Sequence, residues 1–291
     1  MRILITGGGG QLGRDLRAAL DGHTVLALSR AALDVTDAEA VRDATEAFRP
    51  DVVVHAAALT DTTRCEREPD LAHAVNALGA RNVSDACRQA GAAMAYVSTN
   101  EVFDGAKRAP YLESDEPRPV NAYGASKLAG EREVQGALTE HYIVRSAWLY
   151  GHGGNHFIAK ILRAALVLER SEGEAGALTG VDDEIATPTW TLDLAAGLAM
   201  LIETRRFGVY HLTNAGEASR YEWAREVLRL GGRSDVRLRP VTTEEFRASL
   251  PPDALVPIKP PYSVLANVAG AALGIELRPW QQALAEFFAT T

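Results

Sequence analysis

Arg2-Ile3-Leu4-Ile5-Thr6-Gly7-Gly8-Gly9-Gly10-Gln11-Leu12-Gly13 is the stretch on which the reading turns. A short apolar run ends in four glycines, and Leu12, Leu16, Ala19 and Leu20 then recur at helical spacing. Gly7, Gly10 and Gly13 are spaced by three and three, and Gly8, Gly10 and Gly13 also fit G-x-G-x-x-G. The early glycines permit a tight turn and close backbone approach to a pyrophosphate, and Gly13 permits close packing of helix on strand. Free N–H groups at the helix start favour an anion. The pattern predicts a dinucleotide-binding loop. A plain structural turn is the competing reading, and a Walker loop is excluded because no Gly-Lys-Ser/Thr closes the run.

Outward from this loop, strands and helices alternate. Thr24–Leu28, Val52–Ala56, Ala93–Ser98 and Tyr142–Ser146 read as strands of continuous apolar character, which fits a parallel sheet covered on both faces. Helices are expected from Thr36, with Glu39 completing a capping box, to Phe48, and over Ala122–Leu138. A long helix carrying Leu71, Val75, Leu78, Val83, Ala86 and Cys87 should bend. The fold class is α/β: a Rossmann-like doubly wound parallel sheet with a smaller C-terminal substrate domain. Residues 1–150 form the nucleotide domain, with 190–212 returning to it. Residues 151–189 and 213–291 form the substrate domain. Helices are expected over His156–Glu169, Thr191–Ile202, Ser219–Leu230 and Trp280–Phe288, and Gly208–Leu212 reads as a strand. Ser171–Gly180 is rich in Gly and Glu and is expected to be exposed.

Composition narrows the function. Of 291 residues 47% are hydrophobic, enough for a sizeable core, and 30 basic against 38 acidic residues leave a net charge of −8. That balance argues against nucleic acid and anionic membrane as partners. No leader or spanning segment is read, and Cys65 and Cys87 are too few for a disulfide framework, so a cytoplasmic location is expected. The histidines and acids show no metal-ligand spacing, and no metal is expected.

At the end of the second strand stands Ser29-Arg30, with no acid to hold the ribose hydroxyls of NAD. Arg30 suits a 2′-phosphate, which favours NADPH with NADH as a weaker substitute; Asp34 lies on the adenosine side. Tyr123 and Lys127 are i and i+4 and share a helical face. The ammonium is expected to lower the phenol pKa, tuning Tyr123 to give a proton to a carbonyl oxygen as hydride reaches carbon. Thr99, at the end of the fourth strand, can add a second hydrogen bond to that oxygen.

The motifs extend further. They include Leu33-Asp34-Val35-Thr36-Asp37, His55-Ala56-Ala57-Ala58-Leu59-Thr60, Ser98-Thr99-Asn100-Glu101-Val102-Phe103-Asp104-Gly105 and Arg145-Ser146-Ala147-Trp148-Leu149-Tyr150. Later come Val181-Asp182-Asp183-Glu184-Ile185-Ala186-Thr187-Pro188-Thr189 and Pro261-Tyr262-Ser263-Val264-Leu265. Through these the whole chain resembles the dTDP-4-dehydrorhamnose reductase family of the extended short-chain dehydrogenase/reductase superfamily. The resemblance implies hydride transfer from NAD(P)H to C4 of dTDP-4-dehydro-6-deoxy-L-mannose, with Thr99, Tyr123 and Lys127 as catalytic residues. It extends the cofactor site to Gln11, Leu12, Ser29, Val35, Ala56, Ala57 and Ala58, and places Asn100, Trp148 and Asn155 on the substrate side. A homodimer is a further expectation. Asn100 and Glu101 stand where the family usually has an aspartate and a tyrosine, and Ala266-Asn267 follow Leu265 where it has an aspartate. Glu276 and Glu286 do not suffice to assign the Mg-dependent dimers of some relatives. The alternatives are a reductase of a related dTDP-4-keto-deoxysugar, a non-catalytic regulatory subunit, and an epimerase or dehydratase on the same fold.

Overall fold

The computed structural model describes residues 1–154, 156–169 and 177–290. Its centre is a six-stranded sheet, parallel throughout. The strands are β1 (Arg2–Thr6), β2 (Thr24–Leu28), β3 (Val52–His55), β4 (Ala93–Thr99), β5 (His141–Ser146) and, far along the chain, Gly208–His211. In space the order runs from Gly208–His211 through β5, β4, β3 and β1 to β2. The chain therefore reverses its direction of travel between β1 and β3, and ligands bind at such a switch point, beyond the carboxyl ends of the strands.

Alternate residues of each strand point to opposite faces. Ile3, Ile5, Val52, Val54, Ala95 and Val144 face one way, against Leu12 and Leu16 of α1 (Gln11–Ala19) and Leu194, Leu198 and Leu201 of the helix Thr191–Thr204. Leu4, Val53, Met94 and Ile143 face the other, against Val41, Val83, Cys87 and Val134. Both faces are dry, which is why the strands read as apolar runs. Each such side chain contributes ~1.5–3 kcal/mol on burial. A smaller C-terminal assembly has its own core, including Tyr150, Trp190, Trp223, Trp280 and Phe287.

Four local expectations change. The helix expected from Thr36 spans Ala38–Phe48 and is capped by Asp37, which accepts from the amides of Glu39 at 3.1 Å and Ala40 at 3.0 Å. Thr36 instead donates its hydroxyl to Asp34 at 2.8 Å, so the capping box does not form. The long helix carries a π-helical stretch, Ala74–Leu78, between Pro69–His73 and Gly79–Ala90. Leu178–Val181, partly assigned above to an exposed stretch, is a strand paired in parallel with Leu238–Val241. Gly180 is buried there, so close to Tyr221 that a Cβ would sit 2.7 Å from its Cα. Residues 171–176 of that stretch lie outside the described residues. Finally, β3 stops at His55, so Ala56 belongs to the loop that follows. No helix of the described residues is long and apolar enough to cross a membrane.

Candidate active site

The glycine loop closes by backbone hydrogen bonds. Gly8 N donates to Leu28 O at 2.8 Å and Gly10 N to Gly7 O at 2.9 Å. Gly7 has φ of 72°, a left-handed conformation that favours glycine, and a Cβ on it would stand 2.7 Å from Ala57 N. On Gly13 a Cβ would stand 2.4 Å from Gly7 O. Gly10 caps α1 without a side-chain hydrogen bond, so the helix start offers bare N–H groups. This is a cradle that only glycine can form, and it fits the pyrophosphate of a dinucleotide.

Two cavities meet at Gly7, Gly10, Ala56 and Ala58. The first, about 430 Å³, has Ser29, Arg30, Asp34, Val35 and Ala57 in its wall and suits an adenosine half. Arg30 lies 3.7 Å from Asp34 and is largely exposed. Hydrogen bonds from the backbone and side chain of Thr36 hold the Asp34 carboxyl below its usual range, with a smaller contribution from Arg30. The second cavity, about 540 Å³, gathers Gln11, Leu12, Gly13, Thr99, Asn100, Tyr123, Lys127 and Trp148. Every sequence-predicted site residue that the structure describes therefore lines one cavity or both. Asn155 lies outside the described residues.

Tyr123 and Lys127 sit on the helix Ala122–Ala137, whose N-cap Asn121 accepts from Gly124 N at 2.7 Å. Lys127 is buried, with its Nζ 4.0 Å from the centroid of the Tyr96 ring. Burial pushes its pKa down to about 7, against a smaller upward pull from Glu131. The expected lowering of the Tyr123 pKa is not found. Its enclosed position raises the phenol pKa, the Glu101 carboxylate adds to the rise, and a hydrogen bond with Thr99 opposes it. The phenol is thus held protonated, and the rise takes it further from the near-neutral pKa that favours general-acid transfer. In this setting a nearby positive charge such as that of Lys127 can bring it back down. His55, buried at the end of β3, is pushed down to about 3 by burial and by the Lys127 charge, and its Nδ1 lies 2.6 Å from Thr6 Oγ1.

Other functional positions had no local signal. Asn76, inside the π-helical stretch, accepts from Leu59 N at 2.8 Å and donates to Leu59 O at 3.0 Å and to Ser126 Oγ at 2.9 Å. It ties the loop after β3 to the tyrosine helix. Leu71 and Val75, read as helix core, line the adenosine cavity with Arg64. On the far wall of the larger cavity, Arg220 lays its guanidinium 3.5 Å from the Trp148 ring centroid and pairs with Glu184 at 3.0 Å. Trp148 itself has φ of 43°, a strained conformation for a bulky residue and a frequent mark of ligand sites.

Comparison with known proteins agrees with this geometry. The family model described as RmlD substrate binding domain matches residues 1–291. A dTDP-4-dehydrorhamnose reductase of Streptomyces griseus is 43% identical, over 99% of this chain and 93% of that protein. A dTDP-4-keto-6-deoxy-D-glucose reductase of Streptomyces niveus is 39% identical, over 99% of this chain and 96% of that protein. The crystal structure of the Bacillus anthracis dTDP-4-dehydrorhamnose reductase in complex with NADP superposes with a TM-score of 0.91 at 34% identity, covering 100% of this chain and 99% of that one.

Proposed function

This chain belongs to the dTDP-4-dehydrorhamnose reductase family, within the extended short-chain dehydrogenase/reductase superfamily, and from that premise we propose that it reduces the C4 keto group of dTDP-4-dehydro-6-deoxy-L-mannose to dTDP-L-rhamnose with NADPH. The observation that carries the reading is the convergence of Thr99, Tyr123 and Lys127 in the cavity that opens onto the glycine cradle. Gly7, Gly10 and Gly13 hold the pyrophosphate, and Ser29, Arg30 and Asp34 the adenosine end. When bound, the reduced nicotinamide supplies hydride. Tyr123 passes its phenolic proton to the carbonyl oxygen, and Thr99 donates a hydrogen bond to the same oxygen. Lys127, in its charged form, compensates the phenolate left behind. Trp148 walls the sugar side.

The test is to supply purified protein with NADPH and the keto sugar nucleotide, follow nicotinamide absorbance and identify the product by NMR. One dTDP-L-rhamnose formed per NADPH consumed supports the reading. Protein that binds NADPH without turnover overturns it. A second reading, reduction of a related dTDP-4-keto-deoxysugar, is favoured by Asn100 and Glu101 and by the likeness to the Streptomyces niveus reductase. A panel of keto sugars separates the two. The complete proton-transfer set weighs against a non-catalytic subunit.

A further inference from the structure

The segment Ile258–Ser263 is tied at three points to the turn that follows Thr99 and to the cap of the tyrosine helix. Asn121 Nδ2 donates to Ile258 O at 2.8 Å. Lys259 Nζ donates to both carboxylate oxygens of Glu101, at 2.7 and 3.0 Å. Asn100 Nδ2 donates to Ser263 Oγ at 2.7 Å. Glu101 is the hub: its Oε2 also accepts from Asn121 Nδ2 at 2.7 Å, and Asn121 caps the helix that carries Tyr123. Glu101 follows Thr99 by two residues, and its backbone N–H donates to Thr99 Oγ1 at 3.2 Å. The turn Asn100–Val102 presses on the tyrosine helix without slack, since a Cβ on Gly124 would stand 2.0 Å from the Glu101 carbonyl oxygen.

We propose that Glu101 and Lys259 form a latch that fastens this C-terminal segment to the turn after Thr99 and thereby fixes the placement of the Thr99 hydroxyl and the Tyr123 phenol toward the substrate carbonyl. Both residues line the cavity, and the pair is poorly solvated, with side-chain exposures of 10% for Glu101 and 21% for Lys259. Removing one partner leaves an uncompensated charge in that setting, which the turn relieves only by moving. A rival role for Glu101, taking a proton from a sugar carbon, would compete with the donors already on its carboxylate. Here Lys259 donates to both oxygens and Asn121 to one, so three of about four acceptor sites are spent on holding the turn. Glu101 and Lys259 are therefore positioning residues acting through Thr99 and Tyr123.

The inference rests on the ketoreductase reading for its kinetic consequence, but its structural consequence can be read without turnover. The experiment compares the parent with Lys259→Met, Lys259→Arg, Glu101→Gln and the double variant Glu101→Gln/Lys259→Met. Amide hydrogen exchange, NADPH affinity, kcat and KM are measured for each. In Lys259→Met, exchange rises at residues 99–102 and 121–124 and stays unchanged in the glycine loop, and NADPH affinity holds within about twofold. The kcat falls by roughly ten- to a hundredfold, the scale set by a small misplacement of reacting groups. Lys259→Arg restores exchange and kcat, and the double variant loses no more than Lys259→Met, because the two residues act as one unit. Unchanged exchange in Lys259→Met overturns the latch. So do losses that multiply in the double variant, or a rise in exchange across the whole sheet with loss of NADPH binding. If the parent binds NADPH but reduces none of the keto sugars, the functional reading fails and the exchange data alone decide the latch.

Discussion

Between Gly7 and Gly13 the working atoms belong to the backbone and come from one contiguous stretch of chain. Around Tyr123 they belong to side chains, brought together from the end of β4, the helix Ala122–Ala137 and the segment at Lys259. The first region needs space: a Cβ at Gly13 would collide with Gly7 O and one at Gly7 with Ala57 N, and glycine itself meets that need. The second needs burial and charge. Lys127 is buried over the Tyr96 ring, and Glu101, nearby, is held by a lysine 158 residues away in sequence. Backbone sites are therefore written in local sequence, whereas side-chain electrostatics are written in the packing.

That contrast breaks most sharply at Tyr123. Tyr123→Phe is expected to lower kcat on the keto sugar by about 10²–10⁴-fold, the span of a lost general acid. NADPH affinity should hold, and fluorescence titration beside turnover checks both. Comparable turnover in a folded, NADPH-binding variant would remove Tyr123 as donor. The opposite pattern is expected for Gly13→Val. The close contact with Gly7 O forces the loop apart, so NADPH affinity falls at least tenfold and stability drops by about 1–3 kcal/mol, the usual cost of overpacking. Isothermal titration and a urea melt measure the two losses, and unchanged affinity would mean that the loop does not hold the pyrophosphate.

A smaller effect sharpens the cofactor side. Arg30→Ala is expected to weaken NADPH by severalfold, about the worth of one exposed charge contact, and to leave NADH nearly untouched. Equal losses for the two cofactors, read by competitive titration, would take Arg30 out of the specificity argument.

A separate expectation concerns stability and pH. Buried His211 donates through Nδ1 to Tyr111 O at 3.1 Å and Ala266 O at 3.2 Å, and burial, helped by Arg145, pushes its pKa down to about 3. Its unfolded pKa is the ordinary 6.5. Between those values the unfolded chain binds the extra proton, so stability rises with pH through that window and is lost as pH falls from 6.5 toward 3. The urea midpoint of the parent should therefore decline more steeply from pH 6.5 to pH 4 than that of His211→Gln. Parallel slopes would show that the imidazole charges without cost in the folded protein.

How much was legible follows from these particulars. Val52-Val53-Val54 and Ala93-Met94-Ala95 announce strands because both sheet faces are covered, so no polar alternation interrupts them. Tyr123 and Lys127 share a face by helical spacing alone. Thr36 and Asp37 are both good N-caps, and the choice between them falls to Asp34, which takes the Thr36 hydroxyl and leaves Asp37 to cap the helix. Leu178–Val181 escaped because a four-residue strand is recognisable only beside its partner Leu238–Val241, some sixty positions on. Asn76 gave no signal, since its value lies in what it bridges, Leu59 and Ser126.

The sequence by itself determined the alternating strand–helix order, the glycine cradle and the identity of the residues able to move a proton. These depend on backbone conformation, on periodicity and on functional-group chemistry, all of which are local. Only the tertiary structure decided the state of those residues. It raised the phenol pKa of Tyr123 where spacing alone suggested a fall, and lowered that of Lys127 toward neutrality. It also set Lys259 against Glu101. The reason is that burial and Coulomb interaction depend on distance in space, and the chain separates the partners by far more residues than any local pattern can span.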